Sequence, residues 1–425
     1  MQVPHLGTDS RARARDAWVM TAVRASLRLA GEARQKGAPT GPAVAAKGFR
    51  PFFLLAGGFA ASIVPLWILT LLGVFRPGTY LDATHWHAHE MVFGFVAAVL
   101  AGFLLTAVAN WTERETLVGL PLLALSGLWV AGRLALVLSA YVPRWVPATA
   151  DLAFLPVLFV VLARPLLAAR SRRNFVLLAV VGALCLANVS VHLDVLGVLP
   201  GWRRRGCLVG VDIVVLVLLL IAGRIFPMFT RNATKIASIR SHPRLDACTG
   251  ASMALLVVLD AAIDSPAITA AVAGVTAVLA VARSVHWGAR HSAGQPLLWV
   301  LHVGYAWIPL GLGLRAAGAF LEWMPASVAT HALTVGAIGT LTLGMMSRVT
   351  LGHTGLSLVP RAGATLSFAA MTLAALVRVG GPLFGAATYR ATVYAAGALW
   401  TVAFAAFVLV HARTLLSPRA DGKPG

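Results

Sequence analysis

Apolar runs of about twenty residues recur along the whole chain, near 52–75, 89–109, 119–139, 148–168, 175–197, 207–229, 245–263, 267–285, 296–316, 327–348, 363–383 and 389–411. A helix rising 1.5 Å per residue needs about 20 such residues to cross a bilayer core. The pattern therefore predicts an all-α fold: a polytopic transmembrane helix bundle of about twelve spans. The pair between 245 and 285 is the weakest, since only Asp264, Ser265 and Pro266 divide it. Short polar loops leave no room for a second sizeable domain. The expected organisation is a basic cytoplasmic tail over 1–48, disordered or lying on the membrane surface, a membrane domain over 49–412, and a cytoplasmic C-terminal tail over 413–425.

Composition agrees with this reading: 59% of the 425 residues are hydrophobic and 12% charged, where a soluble domain carries about 25%. The net charge of +20 does not indicate nucleic acid. The basic residues are scattered through short loops and gather on the side that holds the N-terminus, so they act as orientation signals and place both termini in the cytoplasm. Trp202-Arg203-Arg204-Arg205, in an expected outer loop, runs against that bias without reversing it. Cys185, Cys207 and Cys248 stand far apart, with no CxxC spacing, which removes a zinc or redox motif.

With this orientation, Glu90, Asp151, Asp194, Asp212 and Asp260 fall at the outer ends of spans, as do His85, His87, His89, His192 and His331. Ionisable groups at such depth are costly unless they face a cavity, a metal or a partner. The concentration on one side therefore argues for a polar site opening outward. Its densest part is THWHAHEMVFGF, residues 84–95. If the segment is helical, His85 and His89 share a face and His87 points elsewhere. If it is extended, His85 and His87 align. Either geometry places two imidazoles on one metal or haem iron, with Glu90 orienting a ring, and imidazole suits iron, copper and zinc alike.

His331, at the outer end of the tenth span, is the expected ligand from another helix, and Gly336, Gly339 and Gly344 leave room for close approach. His192 and His353 are further metal candidates, each open to a purely structural role, and His302 is read as structural. Met345 and Met346 lie too deep to join His331 and read as core. Arg133, in mid-span, requires a carboxylate such as Asp151, a haem propionate or another anion. Laying His89 over His331 also superposes Gly94 on Gly336, Gly102 on Gly344 and Thr112 on Thr354. These are spans two and ten, which a six-plus-six duplication would not pair.

The runs GFRPFFLLAG (48–57), WHAHEMVFGFVAAVLAGFLLTAVANWT (86–112), GRIFPMFT (223–230) and HALTVGAIGTLTLGMMSRVTLGHTG (331–355) resemble the NnrS family over residues 48 to about 412. The resemblance implies a bacterial inner-membrane protein associated with haem and copper and with the response to nitric oxide, alongside denitrification. It places His87, His89 and Glu90 in the family's HAHE run, and His331 and His353 in its second run. The expected function is a haem and copper protein of nitric oxide tolerance, with His87, His89 and His331 as haem ligands, Arg133 beside them, and nitric oxide as a small-molecule ligand. No catalytic motif is readable. A twelve-span secondary transporter of an ion, metal or metabolite is the alternative, as is a haem or copper assembly factor.

Overall fold

The computed structural model describes residues 41–423. The expected disorder of the tail therefore lies largely outside the described residues; from Gly41 the chain is packed, with Ala45 buried and its carbonyl accepting from Gly119 N. Twelve helices are long and apolar enough to cross a membrane: Phe49–Leu71, Ala83–Thr112, Leu120–Val137, Trp145–Ala168, Arg172–Val195, Trp202–Thr234, Pro243–Ala262, Pro266–Ser284, Pro296–Gly318, Ala326–His353, Ala362–Phe384 and Tyr389–Leu416. They are spans one to twelve below. No strand occurs among the described residues. All-helical architecture is what a bilayer demands, since each span must satisfy its own backbone hydrogen bonds. Pro227 sits inside the 33-residue sixth span.

An even number of spans brings both ends of the described chain to one end of the bundle. There Arg50 Nη1 donates to the carbonyls of Leu415 and Ser417 at 3.1 and 2.7 Å, and Ala420 N donates to the Thr354 carbonyl. This is the terminal end. The opposite one, which carries His85, is the histidine end.

Three spans differ from the rest. Along their most apolar stretches spans two, six and ten are 89%, 72% and 72% buried, whereas the other nine lie between 22% and 56%. They touch one another at the centre. The remaining spans surround them in a ring: span four packs on five, eight on nine, and twelve on one. The chain is thus three consecutive units of four spans, each unit sending its second span to the middle. A four-span period explains why spans two and ten carry similar sequence when a half-and-half duplication would not pair them.

The superposed positions of spans two and ten do the same work. Each span leaves α-helical geometry directly after its histidine: Glu90–Val96 follows His89 and Ala332–Gly339 follows His331 as π-helical turns. Such wide turns are rare and gather at functional sites. A Cβ on Gly102 would stand 2.8 Å from the Phe53 ring, and one on Gly344 2.8 Å from Val300. Thr112 and Thr354 each donate back to the carbonyl four residues earlier, both at 2.7 Å. Small residues let helices without a hydrophobic driving force approach closely.

Candidate metal and cofactor sites

Span two begins at Ala83, so the helical reading of the histidine run is the observed one. Asp82 caps it: Oδ1 accepts from the amides of Thr84 and His85, both at 3.1 Å, and Oδ2 holds His85 Nδ1 at 2.5 Å. Burial would raise the Asp82 carboxyl, but the hydrogen bonds from His85 and Thr84 keep it below the usual range. His85 is spent on this cap and stays partly exposed, apart from the other histidines.

His89, one turn deeper, is fully buried. It meets side chains from spans four and five. Its Nε2 lies 3.0 Å from Asn188 Oδ1 and 3.4 Å from Asp151 Oδ2, and its Nδ1 lies 3.2 Å from Glu90 Oε1. His192 Nε2–H donates to the same Asp151 oxygen at 2.9 Å, while the Tyr80 hydroxyl donates to His192 Nδ1 at 2.7 Å. Asn188 Nδ2 donates to Asp151 at 2.7 Å, which fixes its amide orientation and leaves Oδ1 toward His89. Both nitrogens of His89 therefore face acceptors, and the group as a whole asks for an additional cation or proton.

One donor atom each from His89, Asp151 and His192 lie within 4.8 Å of one another. Two imidazoles and a carboxylate form a set that suits copper, zinc or non-haem iron. Tyr80 and Glu90 hold the outer ring nitrogens in the manner of supporting partners around a metal. Arg133 is answered by carboxylates: its guanidinium contacts Asp151, and Nε lies 3.5 Å from Glu90 Oε2. The carboxylate option for Arg133 is thus the observed one.

His87 projects away from this group. Its ring stacks on Trp67 of span one, centroids 4.2 Å apart at 19°, and its Nδ1 is buried with no partner among the described residues. His331 of span ten lies within reach of the charge of His87, and both lie within reach of Arg378 of span eleven. His331 Nδ1–H donates to the Ser327 carbonyl at 2.6 Å, which aims Nε2 away from its own helix as a free lone pair. Arg378, whose guanidinium also engages Tyr389, carries a buried Nη1 with no partner among the described residues. Two imidazoles from facing central spans with unengaged nitrogens, and an arginine for a carboxylate, form a donor set that fits a haem.

The remaining candidates lie elsewhere. His353 ends span ten against Phe49 at the terminal end, about 30 Å from His331 at 1.5 Å per residue. His302 takes a hydrogen bond with Thr230 at 2.9 Å. Sequence reasoning passed over Asn188, Tyr80, Trp67 and Arg378. Asn188 was findable, standing one helical turn before His192; the others come from distant spans and loops.

In comparison with known proteins, the family model described as NnrS protein matches residues 43–419. No curated protein matches the chain.

Proposed function

The chain belongs to the NnrS family, and from that membership we propose that it binds haem and copper in the bacterial inner membrane and serves nitric oxide tolerance. The observation that carries this reading is the pair His87 and His331: two imidazoles near the same end of central spans two and ten, with His87 Nδ1 buried and without a partner among the described residues, and His331 held by its Nδ1 on the Ser327 carbonyl. They are the haem ligands, and Arg378 holds a propionate. His89, Asp151 and His192 hold the copper, with Glu90, Tyr80 and Arg133 setting their orientation and charge. The metals supply sites at which nitric oxide, a small apolar molecule soluble in the bilayer, binds. The bias of Lys and Arg puts the histidine end in the periplasm and both termini in the cytoplasm.

A central trio recurring every four spans favours this reading over a transporter, whose sites usually sit between two repeats. Optical and metal analysis of purified protein tests it. Haem-replete preparations should show a Soret band that His87→Ala and His331→Ala each abolish or shift, and copper that His89→Ala and His192→Ala remove. A preparation without Soret band or copper would sink the proposal.

A further inference from the structure

The ring leaves three clefts between its central spans, and the two groups above fill two of them. The third, between spans six and ten, holds a cavity of about 610 Å³ at the histidine end. Its polar residues occupy matching places in the four-span unit. Where the first cleft draws on spans two to five, this one draws on Asp212 of span six, Asp260 of span seven and Arg315 of span nine. Arg315 Nη1 reaches both Asp212 oxygens at 3.2 and 3.1 Å, and Nη2 reaches Asp260 Oδ1 at 2.5 Å. Asp260 Oδ2 is buried and has no partner among the described residues. Buried carboxylate oxygens are costly to leave unpaired, so the cavity wall presents an acceptor in want of a donor.

A second feature adjoins it. An apolar groove of about 440 Å³ runs down the bundle surface between spans eight and nine, starting at Ala270, which also lines the cavity. It continues past Gly274 and Ala316 to Leu279, about 14 Å at 1.5 Å per residue. Val275 and Phe320 beside it are 56% and 79% exposed, as membrane-facing side chains are. A polar chamber adjoining an apolar furrow suits a molecule with one polar head and one long apolar chain.

We propose that cavity and groove together bind an isoprenoid quinol, whose head hydroxyl donates to Asp260 Oδ2 and whose chain lies along Ala271, Gly274 and Ala316. Charge supports a neutral head: the lining arginines Arg204, Arg205 and Arg315 are matched by Asp212, Asp260 and Asp264. A phospholipid fits less well, because it carries two chains where the cavity adjoins this one groove, and its phosphate would add a negative charge to a lining already balanced. Thr330 also lines the cavity, so the head sits across span ten from His331. The proposal concerns binding and goes beyond the haem and copper reading.

The test uses the full-length protein in detergent, with solvent extraction of bound quinone and titration by decylubiquinol kept reduced. Quinone should copurify, and decylubiquinol should bind saturably. Asp260→Asn and Gly274→Leu should each weaken that binding about tenfold, as loss of one hydrogen bond to a charged acceptor or of the chain's bed implies. A Cβ added at Gly274 would meet only Ala316 Cβ, at 3.4 Å, so its variant keeps the test sound if Asp260→Asn misfolds. His331→Ala should bind decylubiquinol as wild type, which separates this outcome from failure of the haem reading. Absence of saturable binding, recovery of phospholipid alone, or unchanged affinity in both variants would overturn the proposal.

Discussion

His89 and His192 meet edge to face, ring centroids 5.4 Å apart at 88°, with one oxygen of Asp151 in reach of both. They come from spans two and five. A buried carboxylate that also engages Arg133 and Asn188 has no slack, and the whole constellation depends on it.

Replacing Asp151 by Asn keeps the shape and removes the charge. Arg133 then loses its main counter-ion inside the bundle, where breaking a buried pair costs about 3–5 kcal/mol. We expect a lower unfolding temperature in detergent, loss of copper, and an unchanged Soret band. Wild-type copper content in Asp151→Asn would remove Asp151 from the ligand set.

Arg378→Gln should spare copper and impair haem. Hydrogen bonds to charged partners contribute about 1.5–3 kcal/mol, so haem retention should fall tenfold or more. The ratio of Soret absorbance to protein reads it directly. An unaltered ratio would mean that Arg378 does not touch the cofactor.

Gly336 and Gly58 offer opposite outcomes from the same change. A Cβ at Gly336 would stand 2.5 Å from the Trp307 indole, while Gly58 has nothing within 4 Å. Gly336→Ala should destabilise by about 1–3 kcal/mol through overpacking, and Gly58→Ala should be neutral or stabilising by up to about 1 kcal/mol. Thermal unfolding of the two variants side by side would expose a wrong packing of spans nine and ten.

Asp82→Ala removes a helix cap and releases His85. Loss of such a cap costs about 1 kcal/mol, with haem and copper contents unchanged. A fall in copper would return His85 to the ligand set.

The histidine run shows where sequence reasoning reached and where it stopped. Periodicity indicated that, in a helix, His87 leaves the face of His85 and His89, and it does. It did not indicate that Asp82 would claim His85, nor that the other two serve different clefts. Two residues on a helix are rotated by about 200°, so His87 and His89 look toward different neighbours, and the identity of those neighbours is not written nearby. The match of His89 with His331 was visible in the sequence, but its meaning waited on a period of four spans.

What the sequence by itself determined is local: twelve spans, their extents to within about six residues, and the family. These follow from a bilayer that makes each helix satisfy its own backbone and penalises each buried charge separately. Tertiary structure alone decided which spans go to the centre, that span twelve closes on span one, and that His87 faces His331 while His89 faces His192. Helix contacts in lipid are made by shape, through small residues and close approach, and such complementarity between distant segments leaves little trace in the order of residues along either one.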